Sequence, residues 1–336
     1  MSGYQDEKAI VREFYQAISE ADEDSILSVI QRYTADDYQF YGVYPFNELT
    51  GAEQVVEVFW KPLLKSFKQM QRREDVFMAG KNGSDDKPWV TSMGHFMGLF
   101  DADWLGIPKS RKVAMLRYAD FNCVENGKIT KTGFFCDILQ LMGQVGISPL
   151  PLETGHTFVY PGPRTHDGIL LEQHPESEAE FTLALLEKFI NDLAELNVTA
   201  NDNYPPELLA KSWHDDMVWY GPAGIGASYT IPRYQEQHSY PFRQGLKDKV
   251  FNGHIARFAE GNYACFFGWP NLTNTPKGGF LGLPGGNVKA DMRVVDVYRR
   301  EGDKLAENWV IIDLLYWLKQ QGADVLARTK SIVNPD

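Results

Sequence analysis

Two aspartates, one near the end of each half of the chain, lie inside apolar stretches where a carboxylate is unexpected. Asp313 lies in residues 307–322, which begin as a β-branched strand and continue as a predicted helix. Asp137 lies in the similar stretch 133–146. Because burying an ionised carboxylate among apolar side chains is costly, we expect burial to raise the pKa of these groups toward neutrality. A carboxyl group of that kind is suited to general acid/base catalysis.

The same aspartates also permit a structural interpretation. Arg117 and Arg293 lie on predicted neighbouring strands and could form salt bridges with Asp137 and Asp313. The two interpretations are compatible, since an arginine can set the pKa of a catalytic aspartate.

Two histidines are further candidates for proton transfer. His95 lies on a predicted strand whose same face carries methionines, so it is either a core residue or part of a pocket. His238 lies four residues after Tyr234 and four before Phe242, which places the three on one face of a helix. That face points into either a core or a pocket.

Aromatic residues provide candidate contacts to a substrate. Tyr41 and Tyr220 occupy matched strand positions and could donate hydrogen bonds to a substrate oxygen, although ordinary packing explains them equally well. The other candidate substrate-binding residues are Trp60, Trp219, Trp269, Arg117, Arg293 and Trp309.

The composition excludes several classes of partner. A net charge of −12 argues against nucleic acid and anionic membranes, which require a basic surface. The histidines are scattered and match no metal-site spacing, so we expect no metal. The start of the chain has no signal-peptide pattern, and the three cysteines lie in apolar runs, which indicates reduced thiols in a cytoplasmic protein.

The sequence contains an internal repeat. Each half has predicted helices, a strand, another helix, and then a run of strands with short turns, an order typical of α+β folds with antiparallel sheets. The strand at 37–42 matches 216–221 at an offset of 179 residues, and Pro62 matches Pro241. We expect each of these prolines to end or kink the helix in which it lies. Further on, an offset of 176 residues relates three pairs, which are Arg117 with Arg293, Asp120 with Asp296, and Asp137 with Asp313. We therefore predict two domains, 1–147 and 178–330, joined by a proline-rich linker at 148–177.

Several of these motifs, in this order, resemble the SnoaL-like polyketide cyclases of the nuclear-transport-factor-two-like (cystatin-like) superfamily. In the first half they are residues 94–98, 106–108 and 127–129, followed by Asp137; in the second half they are 216–222 and the ending 313–322. The resemblance implies two tandem cones, each a curved antiparallel sheet wrapped around a long helix, with an apolar pocket at the mouth. The second half departs from the pattern, because Trp269 stands where His95 aligns, which suggests that one half has lost its chemistry.

By motif position, the resemblance assigns the acid/base role to Asp137 and Asp313, without a cofactor. We predict that each aspartate lies in a pocket with a histidine and a tyrosine of its own half. The predicted groups are His95, Tyr41 and Asp137 in the first half, and His238, Tyr220 and Asp313 in the second. The predicted function is a general acid/base enzyme acting on a small, largely apolar carbonyl compound by aldol cyclisation, isomerisation or hydrolysis. The alternative is a non-catalytic small-molecule binding module of the same fold.

The resemblance also predicts how the halves assemble, since domains of this family commonly pair through their sheets. We expect the two halves to pair sheet to sheet within one chain, as a monomer or a higher homo-oligomer. If the aspartates face the pocket, alternation turns six apolar residues to the opposite face: Phe134, Cys136, Ile138, Val310, Ile312 and Leu314.

Overall fold

The protein is described here by a computed structural model that covers residues 3–198 and 202–333. These residues form two compact units. Unit 1 contains the chain up to Pro149 together with Arg164–Gln173 and the segment from Gly322 onward. Unit 2 contains Leu150–Pro163 and His174–Gln321.

Unit 1 combines short helices with a six-stranded sheet. The amphipathic helix α1 (Gln5–Glu20) buries Phe14, Tyr15 and Ile18 against this sheet, as the spacing of its apolar residues predicts. The elements are α1 (Gln5–Glu20), α2 (Ile26–Tyr33), β1 (Thr34–Gly42), β2 (Asn47–Thr50), α3 (Ala52–Val55), α4 (Lys61–Ser66), β3 (Phe67–Lys81), β4 (Pro88–Phe100), β5 (Val113–Glu125), β6 (Lys128–Cys136) and α5 (Ile138–Gln144).

Unit 2 has a longer first helix and a seven-stranded sheet. The helix Glu176–Val198 packs across three strands of this sheet, Ala256–Glu260, Tyr263–Pro276 and Lys304–Ile312. No described helix is long and apolar enough to cross a membrane. The elements are α6 (Glu176–Val198), α7 (Pro206–Leu209), β7 (Trp213–Tyr220), β8 (Ala227–Tyr229), α8 (Ile231–Tyr234), α9 (Tyr240–Gly245), β9 (Leu246–Phe251), β10 (Ala256–Glu260), β11 (Tyr263–Pro276), a 3₁₀ turn (Phe280–Gly282), β12 (Ala290–Glu301), β13 (Lys304–Ile312) and α10 (Leu314–Gln320).

The two sheets have matching strand orders. In unit 1 the order is β2-β1-β6-β5-β4-β3, and in unit 2 it is β8-β7-β13-β12-β11, with β9 and β10 both pairing with β11. The predicted α+β fold class is confirmed. One detail differs, because β1 lies parallel to β6 and β7 lies parallel to β13. The long stretch of chain between the members of each pair permits this, since a parallel pair requires a crossover connection.

A repeated helical irregularity precedes Pro62 and Pro241. A π-helical turn, Val56–Trp60 in unit 1 and Gln235–Ser239 in unit 2, separates α3 from α4 and α8 from α9. The expected effect of the prolines is therefore seen as a π-helical turn within a continuing helix. Because proline lacks an N–H donor, the turn before it cannot form the regular hydrogen-bond ladder.

The unit boundaries differ from the predicted domains at the linker and at the end of the chain. Residues 150–163 belong to unit 2, whereas 164–173 belong to unit 1, so the proline-rich stretch is shared between the units. The final helix α11 (Val325–Val333) belongs to unit 1, and the Tyr44 hydroxyl donates a hydrogen bond of 2.9 Å to Asp324 just before it. Sequence order alone assigned this helix to the second domain.

We expect α11 to contribute to the stability of unit 1. Leu326 is buried on this helix, whereas Ser331 on the same helix is exposed. The variant Leu326→Asp would bury an unpaired charge and should lower the free energy of unfolding by about 3 kcal/mol or more. The control variant Ser331→Asp should change it by less than about 0.5 kcal/mol. Urea unfolding measures both, and equal effects would show that α11 does not pack as described.

Candidate functional site

Unit 2 contains a cavity of about 220 Å³ on the inner face of its sheet. The walls are mostly apolar and aromatic, and within the described part of the chain no lysine or arginine lines them. The exposed Phe251 and Ala194 lie at its opening. The lining residues are Phe189, Ile190, Leu193, Ala194, Trp219, Tyr234, His238, Phe242, Phe251, His254, Phe266, Asn271, Leu272, Met292, Val294, Asp296, Tyr298, Asn308, Val310 and Ile312.

Asp296 is the one acidic residue among the described residues of this lining, and it lies on β12 near the centre of the sheet. Its Oδ1 accepts hydrogen bonds from the Tyr298 hydroxyl at 2.9 Å and from the Asn308 amide at 3.2 Å. Burial raises the pKa of Asp296 to about 7, and the two hydrogen bonds only partly oppose this rise. The group can therefore gain and lose a proton near neutral pH.

His238 forms part of the wall above Trp219. The π-helical turn carries it, and its ring stacks on the indole with centroids 3.9 Å apart and planes 14° apart. Burial lowers the pKa of His238 to about 3, so the ring is neutral at physiological pH. Its Nδ1 atom is shielded from solvent and has no hydrogen-bond partner among the described residues.

In unit 1 the corresponding carboxyl group, that of Asp120, is occupied by hydrogen-bond donors from other side chains. It accepts hydrogen bonds from the Tyr15 hydroxyl at 2.5 Å and from Arg72 at 2.9 Å. The Arg72 guanidinium in turn stacks on the rings of Tyr15, Phe96 and Tyr118. Burial raises the pKa of Asp120, and the nearby guanidinium opposes that rise. The interior of unit 1 is therefore filled by an ion pair and its aromatic surroundings.

A comparison of matched positions explains the difference between the two interiors. At the offset of 176 residues, Val294 in unit 2 stands where Tyr118 stands in unit 1, so a ring is replaced by a small side chain. The open groove of unit 1, about 660 Å³, lies beside Tyr15 and Arg72 and does not include Asp120. The suggestion that one half has lost its chemistry stays a prediction.

The predicted orientation of Asp137 and Asp313 is wrong. Both cap helices, since Asp137 accepts a hydrogen bond of 3.0 Å from the Gln140 backbone N–H and Asp313 one of 3.1 Å from that of Tyr316. Arg117 lies 3.9 Å from Asp137, and Arg293 lies 3.4 Å from Asp313. Alternation along the strand is as predicted, but Asp137 lies on the face away from the filled interior of unit 1, and Asp313 lies on the face away from the cavity of unit 2.

Apolar residues next to the aspartates establish which face is the inner one. Phe134 packs on Phe59 of the helical layer, with ring centroids 4.7 Å apart, and both Val310 and Ile312 line the cavity of unit 2. Phe134, Val310 and Ile312 are three of the six apolar residues that we expected to face outward and to pair the two halves through their sheets. That argument is wrong, because each of the three packs inside its own unit, and the pairing itself stays a prediction.

His95 also lies on the outer face of its sheet. It pairs with Arg117 in the β4–β5 register, and its Nδ1 lies 3.6 Å from a carboxylate oxygen of Asp75. Tyr41 follows the inward-facing Phe40 and is only half-buried. The predicted grouping of His95, Tyr41 and Asp137 in a pocket on the inner face is therefore wrong.

Three candidates of the second half lie on the outer face of its sheet. Tyr220 stacks on Trp309 with ring centroids 5.5 Å apart, and the Trp309 indole donates a hydrogen bond of 2.9 Å to the carbonyl of Pro161. Trp269 packs on the Arg293 guanidinium, 3.8 Å from the ring centroid. The predicted convergence of Tyr220 and Asp313 with His238 is therefore wrong.

Two of the predicted residues, His238 and Trp219, come together in the cavity. Trp60 packs on Phe59 and Phe96 in the filled interior of unit 1. Sequence reasoning missed the acidic residue of the cavity, although Asp120 and Asp296 were already matched as a repeated pair. The signal was available, since a carboxylate recurring in the middle of a predicted strand, with Tyr298 on the same face, is as unusual as one at the strand end.

No group of three or more histidine, cysteine, aspartate or glutamate residues within 3–198 and 202–333 is arranged to hold a metal ion. The three cysteines are buried and form no disulfides.

Comparison with known proteins gives similarity at the level of the fold. No protein-family model matches the chain, and no curated protein matches it. Solved structures that resemble it include a candidate SnoaL-like polyketide cyclase from Jannaschia sp. CCS1, with 16% identity over 43% of this chain and 94% of that one, at a TM-score of 0.34.

Two further solved structures are similar. A candidate polyketide cyclase from Acidithiobacillus ferrooxidans is 21% identical over 43% of this chain and 96% of its own, at a TM-score of 0.33. A nuclear-transport-factor-two-like protein from Burkholderia xenovorans LB400 is 11% identical over 42% of this chain and 96% of its own, at a TM-score of 0.32. Each match spans less than half of this chain, and at such identities it carries no information about activity.

We expect Asp313 to act in stability. Replacing it by alanine removes the helix cap and leaves the buried Arg293 without its carboxylate, so Asp313→Ala should lower the free energy of unfolding by about 3 kcal/mol or more. The exposed Asp303 provides a control, because Asp303→Ala should change it by less than about 0.5 kcal/mol. Equal, small effects in urea unfolding would contradict the structural role.

The raised pKa of Asp296 should make stability depend on pH. The folded protein keeps this proton up to about pH 7, whereas the unfolded chain releases it near its ordinary value of 3.8. The stabilising contribution is complete below pH 3.8 and falls by about 1.4 kcal/mol per pH unit until pH 7. The variant Asp296→Asn should lack this fall. Urea unfolding of both proteins at pH 5 and pH 8 measures it, and parallel pH dependences would contradict the assigned pKa.

Proposed function

We propose that unit 2 is a cofactor-independent general acid/base enzyme acting on a small, largely apolar carbonyl compound. The reaction would be an intramolecular aldol cyclisation, an isomerisation or a hydrolysis. The observation that carries this proposal is the buried carboxyl group of Asp296, with a pKa of about 7, in an apolar cavity. Such a carboxyl group is matched to proton transfer at physiological pH.

The first step assigned to Asp296 is removal of a proton from the carbon next to the substrate carbonyl. Near pH 7 a substantial fraction of the group is ionised and can accept that proton, and the protonated form can return it later. The hydrogen bonds from Tyr298 and Asn308 go to Oδ1, so Oδ2 is the oxygen that would face the substrate.

The negative charge that develops on the substrate oxygen needs a hydrogen-bond donor. His238 is neutral, because burial lowers its pKa to about 3, and a neutral imidazole can donate from one ring nitrogen. Its wall position above Trp219 and its unpaired Nδ1 make it the favoured candidate for stabilising the enolate.

The apolar walls support this chemistry in two ways. They hold an apolar substrate by the hydrophobic effect, and they exclude water from the carboxyl group, which keeps its pKa high. The corresponding Asp120 is engaged with Arg72 and Tyr15 in a filled interior, so the proposal assigns the reaction to unit 2 alone.

Asp137 and Asp313, which the family resemblance assigned as acid/base residues, have no part in the proposed reaction. Each is engaged with an arginine and a helix N-terminus on the face away from the cavity. The alternative, a binding module without turnover, shares the cavity and differs in whether a bound ketone exchanges its protons.

A direct test is hydrogen–deuterium exchange at the carbon atoms next to the carbonyl of 2-tetralone, a small apolar ketone, followed by NMR in D₂O. We expect the protein to accelerate exchange, with a rate that rises with pH through about 7, because the ionised form of Asp296 is the base. The variant Asp296→Asn should lower the catalysed rate by about 100-fold or more.

The matched control is Asp120→Asn in unit 1, which should leave the exchange rate unchanged. Acceleration that survives in Asp296→Asn would reject the assigned base. Binding of 2-tetralone without accelerated exchange would favour the binding module.

A further inference from the structure

The cavity of unit 2 has a second polar region on the wall opposite His238. His254 stacks on Phe266 with ring centroids 3.9 Å apart and planes 18° apart, much as His238 stacks on Trp219. Phe266 pairs with Asp296 in the β11–β12 register. The two histidine rings therefore stand on opposite sides of the strand that carries the carboxyl group.

Asn271 reaches the cavity from an irregularity in β11. The β11–β12 pairing shifts between Gly268 and Leu272, which is the register change of a bulge, and a bulge redirects side chains. The backbone N–H of Asn252 donates a hydrogen bond of 2.9 Å to the Asn271 carbonyl, which fixes the bulge against the loop that carries His254. Asn271 and His254 thus belong to one wall.

Both side chains keep a polar atom that no described residue satisfies. Nδ2 of Asn271 and Nδ1 of His254 are shielded from solvent, line the cavity, and have no hydrogen-bond partner among the described residues. Because leaving a buried polar atom without a partner destabilises the folded protein, an arrangement that keeps two of them on one wall indicates a ligand that satisfies them. Burial lowers the pKa of His254 to about 3, so this wall is uncharged.

We propose that Asn271 and His254 form a second binding station, and that the ligand is an uncharged compound with two oxygen functions at separate ends of an apolar ring system. One oxygen binds at Asp296 and the other at Asn271 and His254. The compound carries no net negative charge, because the cavity already holds a carboxyl group and the described lining supplies no lysine or arginine to balance an anion. This inference deepens the proposed function, since it concerns the substrate class of the same cavity.

Three naphthalenes that differ in their oxygen functions test the proposal by isothermal titration calorimetry. They are 2-naphthol, with one hydroxyl, 2,7-dihydroxynaphthalene, with hydroxyls at opposite ends, and 2-naphthoate, an anion. We expect 2,7-dihydroxynaphthalene to bind at least tenfold more tightly than 2-naphthol, and 2-naphthoate to bind at least tenfold more weakly.

Variants locate the second station. Asn271→Leu keeps the size of the side chain without its donors, and His254→Phe keeps a ring that can stack on Phe266. Each should remove the advantage of 2,7-dihydroxynaphthalene while leaving the affinity for 2-naphthol within about twofold, which also shows that the variant cavity is folded. The control Asn252→Leu, an exposed residue of the same loop outside the lining, should retain the advantage.

The following outcomes would overturn the proposal. The first is equal affinity of the wild-type protein for 2-naphthol and 2,7-dihydroxynaphthalene, as expected if ordered water satisfies Asn271 Nδ2 and His254 Nδ1. The second is a preference for 2,7-dihydroxynaphthalene that survives in both Asn271→Leu and His254→Phe. The others are an affinity for 2-naphthoate equal to that for 2-naphthol, and failure of all three compounds to bind.

The two experiments distinguish failure of the proposed enzyme activity from failure of the second station. If 2-tetralone exchange is not catalysed while the preference for 2,7-dihydroxynaphthalene persists, the second station stands and the cavity is a binding site without turnover. If exchange is catalysed without that preference, the enzyme proposal stands and the second station is rejected.

Discussion

A carboxyl group on the inner face of each sheet is the constraint on which the two interiors depend. Asp120 and Asp296 occupy matched positions on central strands, where an ionised group without compensation would be costly. Unit 1 compensates with a cation, because Arg72 pairs with Asp120 and fills the surrounding space with its aromatic contacts. Unit 2 compensates with a proton, since burial raises the pKa of Asp296 to about 7, and the space stays open.

The outer faces of the sheets follow a different rule that both units share. At the end of the last strand, Asp137 and Asp313 each accept a backbone hydrogen bond from the first turn of a short helix and lie beside an arginine on the neighbouring strand. This arrangement satisfies a helix N-terminus and a buried guanidinium with one carboxylate. It explains why the pair of residues recurs in both halves although the surroundings of Asp120 and Asp296 differ.

Two polar side chains of the cavity, those of His238 and Asn271, owe their positions to local irregularities. A π-helical turn carries His238, and a break in the β11 register carries Asn271. Regular helices and strands present side chains at fixed angles, so an added or displaced residue is a simple way to direct one of them into a cavity. The prolines at 62 and 241 made an irregularity predictable, but the second unit alone uses it to place a histidine in an open site.

The sequence by itself determined the fold class, the two-fold repetition and the alternation of side chains, because these depend on periodicity and turn chemistry that are local to the chain. It did not determine which face of each sheet is the inner one, since a carboxylate on an apolar strand is equally compatible with a cavity and with a buried arginine. Tertiary structure decided that question when Phe134 and Ile312 packed inside and the arginines took the other face. It also decided that the last helix joins unit 1 and that one cavity is filled and the other open, because both outcomes depend on contacts between residues far apart in sequence.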